Sequence, residues 1–328
     1  MKMADAISEI KKGIKEKKAV IGTEQAIKQL KLGRLQKVFL TSNCPQSVKK
    51  DIVHFDPPSL RAVEKATAFS RFYFSPQYFG LENVDALKPA LYVSNHSIYG
   101  VLDSPLLFEK LFKDKNIVLR SLGDHFHFEV PLWRDILTEG GAVPGTRENC
   151  AHLMEAGEHI LVYPGGGREV AKRKGEEYKL TWKTRTDFAY MAMKYQYPVI
   201  PVAALGADDA YEVVYDAYDF MKNPIGRWLL KNKTVADKLR SGDMLMPIAK
   251  GIGPTLIPRP EKFYFGFGAP ISPAAFKGKE EDKEMQWQFR KQIMDALEGE
   301  LNKLRLHRQR DTKVSLLRKL LTKKKNAQ

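Results

Sequence analysis

Ala90-Leu91-Tyr92-Val93-Ser94-Asn95-His96-Ser97-Ile98-Tyr99-Gly100-Val101-Leu102-Asp103-Ser104-Pro105 is the stretch on which the fold turns. The run 90–94 reads as a strand, and the continuous apolar runs at 160–163 and 199–204 have the pattern of a sheet covered on both sides. Asp103 is suited to cap a helix over 104–112, and Pro105 sits well in that helix's first turn. The unit is therefore strand, loop, helix. His96 falls at the C-terminal edge of the strand, where open α/β sheets assemble their sites.

The same alternation continues on both sides. Upstream, residues 59–74 have the spacing of an amphipathic helix, with Leu60, Val63, Phe69, Phe72 and Tyr73 as its apolar members. Downstream, the pattern predicts strands at 116–119, near 142–143, at 160–163 and at 199–203. Helices are predicted between them at 131–139, 148–155 and 182–195. A late strand over 263–268 precedes a long helix over 281–306. This order predicts an α/β fold with a mixed, mostly parallel sheet flanked by helices. Asp56-Pro57-Pro58 marks a boundary. The chain divides into 1–55, a body over 56–302 and a tail over 303–328.

Charge follows the same division. The 328 residues carry 54 Lys and Arg against 39 Asp and Glu, a net +15. Residues 1–55 hold +7 and 303–328 hold +9, which leaves the body at −1. A uniformly basic nucleic-acid coat does not fit a near-neutral body. A 43% hydrophobic content excludes a disordered chain. No apolar run is long enough to predict a membrane-crossing helix. Lysines 11, 12, 15, 17 and 18 interrupt any apolar signal core at the start. The two cysteines, Cys44 and Cys150, predict neither a disulfide framework nor a cysteine-rich zinc site, so a reducing cytoplasm is the expected compartment.

Three constellations carry chemistry. In the first, His96 and Asp103 could form a base and its orienting carboxylate, or be a satisfied histidine and an ordinary cap. The second, Tyr163-Pro164-Gly165-Gly166-Gly167-Arg168-Glu169, follows the strand at 160–163. Its glycines would let backbone N–H groups approach an anion, with Arg168 as a forked donor beside them. The plainer reading is a glycine-rich turn with Arg168 and Glu169 in solvent. It matches neither a Walker loop nor a dinucleotide fingerprint. The third, Gly140-Gly141-Ala142-Val143-Pro144-Gly145-Thr146-Arg147-Glu148-Asn149, places Arg147 at a strand–helix junction, or is only a capping segment headed by Thr146.

In this order the three blocks, with the strand Val199-Ile200-Pro201-Val202 and the late Gly268-Ala269-Pro270-Ile271, resemble the glycerolipid acyltransferase superfamily over about residues 56–300. Two features differ from the usual pattern. Six residues, not four, separate His96 from Asp103, and Gly165-Gly166 stands where a Glu precedes Gly-Thr-Arg. Together with Tyr178-Lys179-Leu180-Thr181-Trp182 and Arg185, the second feature makes the chain similar to the branch of diacylglycerol acyltransferases and phytyl ester synthases. The resemblance implies a glycerol-phosphate acyltransferase-like fold. It implies His96 as general base on a lipid hydroxyl, oriented by Asp103. Asn95, Arg147, Gly165, Gly166, Gly167, Arg168 and Glu169 are implied to bind substrate. The implied donor is acyl-CoA or acyl-carrier protein as co-substrate, with no resident cofactor. The implied acceptor is a neutral alcohol such as diacylglycerol, with lysophosphatidate as competitor.

The remaining features are less specific. Asp124-His125-Phe126-His127, read as a strand, would point alternate residues one way, as a metal pair, or as aromatics that line an apolar channel or pack the core. No third ligand is evident, so no metal site is assigned. Residues 243–259 suit a loop at a bilayer surface or an ordinary buried loop. In the tail, Val314, Leu317, Leu320 and Leu321 at helical spacing among lysines read as a surface anchor on an anionic membrane, hence a cytoplasmic, peripheral-membrane protein, or as a solvated, partly disordered tail. Residues 1–55 read as an incomplete α/β segment. From Gly22-Thr23-Glu24-Gln25 to Cys44-Pro45 they resemble the first half of ribosomal L30e-type RNA-binding proteins, which implies an RNA or ribosome contact. Two rival readings follow: an RNA-binding protein, and a lipid-binding protein without catalysis.

Overall fold

A computed structural model describes residues 55–232, 243, 245–312, 318, 321 and 322. The expectations for 1–54 and for most of the basic tail lie outside the described residues. Helix α1 is Leu60–Phe74, and strand β1 is Gln77–Phe79. Then come β2 (Leu91–Ser94), α2 (Ser104–Lys115), β3 (Arg120–Gly123), α3 (His125–Glu129), α4 (Trp133–Glu139), β4 (Val143–Pro144) and α5 (Arg147–Glu155). The chain continues through β5 (Ile160–Val162), α6 (Gly166–Val170), α7 (Asp187–Tyr195), β6 (Val199–Leu205), β7 (Glu212–Tyr215), α8 (Ala217–Lys222) and α9 (Pro224–Leu230). It ends with β8 (Ile248–Lys250), β9 (Tyr264–Phe267) and α10 (Lys283–Arg310).

Seven strands form one sheet in the order β1-β9-β6-β2-β5-β3-β4. Only the β6–β9 pairing is antiparallel, so the sheet is mixed and mostly parallel, as expected. Strands β7 and β8 form a separate antiparallel pair. Alternate side chains divide the core into two layers. On one face Leu91, Val93, Ile160 and Val199 meet α5, α7 and α10. On the other Tyr92, Leu161, Ile200 and Val202 meet α1 and α2. Burial on both faces is why these strands read as continuous apolar runs.

Helix α10 shows how sequence fixes packing. Phe289, Ile293, Leu297, Leu301 and Leu304 recur every three or four residues and are almost wholly buried. Truncating any one of the leucines to Ala should cost about 2–5 kcal/mol. The helix runs on to Arg310, so the division expected at 302/303 falls inside it. His307 packs against Phe79 and Tyr264, and Arg308 pairs with Asp209 at 2.5 Å.

Four other readings are corrected. Strand β3 starts at Arg120, not Asn116, because Asn116 takes a left-handed conformation that closes α2 and the β5 pairing begins at Arg120. Helix α7 starts at Asp187, not 182, because Lys183 has φ 46° and interrupts any earlier turn. Residues 125–129 are helical, so residues 125 and 127 do not share a face as they would in a strand. The His127 ring instead accepts a bond from the Trp133 indole at 3.1 Å. In α1 the apolar members do not all face the core: Phe74 is buried, whereas Phe69 and Phe72 are exposed. Among the described residues, no helix is long and apolar enough to cross a membrane, and no cluster of three metal-binding side chains is present.

Candidate active site

Strands β2, β5 and β6 are parallel neighbours, so the segments that leave their C-terminal ends converge. The His96 loop comes from β2, the glycine-rich segment from β5, and Gly206 to Asp208 from β6. Asn95 extends β2 by its side chain. Its amide donates to the Ala204 carbonyl at 3.0 Å and accepts from the Ala204 N–H at 2.9 Å, a side-chain copy of a ladder pair. It is fully buried and bridges two strands, which makes it a support of the site and not a substrate contact.

His96 lies flat on Tyr163, with ring centroids 4.0 Å apart and planes 13° from parallel. The Tyr163 hydroxyl is held by Ser104 Oγ at 2.8 Å. On its other side the ring meets Gly100. A Cβ there would lie 2.4 Å from His96 Cε1, and Gly100 also has φ +66°. Glycine is therefore required twice, by sterics and by backbone conformation. Sequence reasoning passed over Gly100, although a glycine four residues after the histidine was the available signal. The His96 ring is only partly exposed, and its buried Nδ1 has no hydrogen-bond partner among the described residues. Burial, with Lys172 and His127 adding to it, pushes the imidazolium down to about 3. His96 is thus a neutral imidazole at physiological pH.

Asp103 does not form the expected pair with His96. Its Oδ1 accepts from Ser97 Oγ at 2.9 Å and from the Ser104 N–H at 3.0 Å, at the head of α2. The reason lies in the longer loop. Tyr99 (φ 61°) and Gly100 both take left-handed conformations and route the chain so that Asp103 returns to Ser97. Burial raises the Asp103 carboxyl from 3.8 to about 6, against the hydrogen bonds from Ser97 and Ser104.

The glycine-rich segment also differs from expectation. Gly166 and Gly167 open the short helix α6, and the Gly166 N–H donates to the Tyr163 carbonyl at 2.9 Å. Gly165 makes room for a side chain, not for an anion. A Cβ there would lie 2.0 Å from Glu169 Cδ. Glu169 is buried and its carboxylate accepts the His96 N–H at 2.9 Å and the Thr181 N–H at 2.6 Å. Arg168 turns inward and is buried. It pairs with Glu176 at 2.6 Å and lies 3.5 Å from Asp243, so it does not reach the site as a substrate donor.

Two residues absent from the sequence reading complete this support. Asp208, three positions beyond β6, accepts the Ile98 N–H and the Tyr178 N–H, each at 2.8 Å. Lys172 pairs with Asp208 at 3.3 Å, and both are buried. Burial raises the carboxyls of Glu169 and Asp208, and Lys172 opposes that rise in each. Asp208 could have been found from its place past a sheet strand. Lys172 carries no motif.

Beside Tyr163 a cavity of about 340 Å³ opens between β5, β3 and α7. Leu91, Val162, Phe188 and Met191 make its apolar wall, while Arg147, Arg185 and Asp187 stand among its polar lining. Gly166 also borders it. Arg147 bonds Asp187 through Nε at 2.9 Å and lies over the Tyr190 ring. Arg185 donates to the Pro164 carbonyl at 2.7 Å. Of the residues expected to bind substrate, Arg147 and Gly166 line this cavity, and Asn95, Arg168 and Glu169 serve the scaffold.

Residues 75–205, which span β1 to β6 and include His96, Asp103 and Arg168, match the family model described as Acyltransferase. By this match the segment is similar to acyltransferase domains. The chain is 33% identical over 253 residues to phytyl ester synthase 2, chloroplastic, of Arabidopsis thaliana, covering 74% of this chain and 36% of that protein. It is 30% identical over 238 residues to phytyl ester synthase 1, chloroplastic, of the same plant, covering 66% and 33%. The chain thus spans about a third of the length of these relatives. A crystal structure of a 1-acyl-sn-glycerophosphate acyltransferase from Thermotoga maritima is similar at TM-score 0.40 and 17% identity, covering 76% of this chain and 81% of that one. The ribosomal likeness read in residues 1–55 has no finding behind it.

Proposed function

We propose that this acyltransferase-family chain is an O-acyltransferase that moves a fatty acyl group from acyl-CoA or acyl-carrier protein to a lipid alcohol, with His96 as general base. The observation that carries this reading is the His96 imidazole at the end of β2, stacked on a tyrosine that lines a cavity with an apolar wall and a polar lining that includes Arg147, Arg185 and Asp187. A neutral imidazole has a free lone pair that can take the hydroxyl proton and hand it on to the leaving group. The acceptor oxygen attacks the thioester carbonyl as His96 removes its proton. The tetrahedral intermediate then expels the thiolate, which the imidazolium protonates, leaving ester and free thiol. The apolar wall suits the acyl chain. Arg147 and Arg185 suit the phosphates of the donor, since guanidinium groups recognise phosphate by paired hydrogen bonds.

Similarity to two phytyl ester synthases supports reading the acceptor as a neutral alcohol, phytol or diacylglycerol, in preference to lysophosphatidate. We place the protein at the surface of an anionic membrane, where such acceptors reside. Labelled acyl-CoA and acyl-carrier protein, each offered with diacylglycerol, phytol and lysophosphatidate, test the reading. Transfer to a neutral alcohol with release of one thiol per ester is the expected result. Thioester hydrolysis without ester formation on any acceptor would exclude it.

A further inference from the structure

Seventeen large hydrophobic side chains are exposed among the described residues, and ten of them lie on one set of connected segments. Phe69 and Phe72 project from α1, the latter 82% exposed. Val214 and Ile248 lie on the β7–β8 pair. Tyr218, Ile225 and Trp228 lie on α8 and α9, which pack against each other. Met246, Leu256 and Ile257 lie in the segments flanking β8. Tyr73 ties α1 to the last of these by donating to the Pro258 carbonyl at 2.7 Å. Exposed apolar surface gathered in this way marks an interaction site.

Cationic groups accompany it. Lys222, Arg227 and Lys231 stand exposed around Ile225 and Trp228. Arg318, from the basic C-terminal tail, returns to the end of α1 and donates to the Tyr73 carbonyl at 2.6 Å. The acidic neighbours are already paired, Asp219 with Lys174 and Glu212 with Arg259 and Lys250. Tryptophan among apolar side chains and flanking Lys or Arg is the composition that settles at an anionic lipid interface. The surface also adjoins the site, because Tyr99, three residues past His96, donates to the Pro247 carbonyl at 3.0 Å.

We propose that this face, built by α1, the β7–β8 pair with its flanking segments, α8 and α9, docks the folded body onto an anionic bilayer and brings the membrane beside the His96 loop. The inference rests on the lipid-acceptor reading above but does not require turnover to be tested. The full chain is mixed with phosphatidylcholine vesicles with and without about 30% phosphatidylglycerol, and bound protein is measured by co-sedimentation and by Trp emission. The wild type is expected to bind the anionic vesicles. The combined substitution Phe72→Ser, Trp228→Ser, Leu256→Ser should weaken binding about tenfold or more. Its melting curve and its turnover of a short-chain, water-dispersed acceptor should stay unchanged. Leu87→Ser, which removes an exposed leucine elsewhere, should bind as the wild type does. Unchanged binding by the triple variant would overturn the proposal, as would loss of binding only on Lys323, Lys324 and Lys325→Gln. A wild type that ignores vesicles but self-associates through this face would overturn it in favour of a second copy as occupant. Normal vesicle binding without acyl transfer would refute the catalytic reading and leave this one standing.

Discussion

The segments that follow β2 and β5 leave neighbouring parallel strands, and they use their polar side chains in opposite ways. After β2, the His96 ring is presented at a partly exposed position against Tyr163. After β5, Arg168, Glu169 and Lys172 all turn inward and are buried. In the proposed mechanism the first segment offers the reacting group, and the second fixes it. Glu169 and Asp208 each accept one backbone N–H of the histidine loop, at His96 and Ile98. A catalytic side chain placed on a loop needs such fixing, because loops lack the ladder bonds that position strands. The contrast also separates two kinds of charged residue in one motif block, since a buried carboxylate on a backbone N–H is architecture even when it lies beside chemistry.

The largest stability effect should come from the holding side. Lys172→Met removes the cation that serves both Glu169 and Asp208 and leaves two buried carboxylates uncompensated. A loss of about 3–5 kcal/mol is expected in urea unfolding, with turnover falling alongside. A stable but inactive Lys172→Met protein would show that Lys172 acts on substrate and would break the contrast.

Asp103 gives an effect of opposite sign. Its folded-state value of about 6 exceeds its ordinary 3.8. Between those values the folded state keeps a proton that the unfolded chain has released. Stability therefore falls as pH rises from about 4 to 6 and is level above. Asp103→Asn, which can still accept from Ser97 and Ser104, should remove that fall and gain about 2–3 kcal/mol at pH 8 relative to pH 4. Parallel stability curves for the variant and the wild type would contradict this.

How far such features can be read from sequence depends on what sets them. Strands β2, β5 and β6 were legible because burial on both faces leaves apolar runs, and α10 because its stripe repeats locally. The placement of His96 at the end of β2 was legible because the end of a sheet strand is a position in the chain. The inward turn of Arg168 was not, since Glu176 and Asp243 lie 8 and 75 residues further on. The three glycines looked like an anion cradle because nothing local shows that Gly165 clears space for the Glu169 side chain. Asp103 was misplaced for a related reason: loop length predicts reach, but two left-handed residues decided direction.

Gly165→Ala tests the holding role with a smaller change. The added methyl collides with Glu169 and should shift it from the His96 N–H. About 1–3 kcal/mol of stability should be lost, and turnover should fall while donor KM holds. An unchanged kcat would sharpen the contrast by showing that Asp208 alone holds the loop. The smallest effect is expected at the rim of the cavity. Arg147→Met breaks an exposed pair with Asp187, so stability should change by less than about 1 kcal/mol. Donor KM should rise and become less sensitive to salt. No change in KM would remove Arg147 from donor recognition.

The central claim is that His96 carries the proton in acyl transfer. It is tested most directly by initial rates of thioester-dependent ester formation for the wild type and His96→Ala, with matched melting curves to show that both are folded. A fall in kcat of about 10²–10⁴-fold is predicted, the contribution expected of one general base. Full acyl transfer by folded His96→Ala would contradict the account.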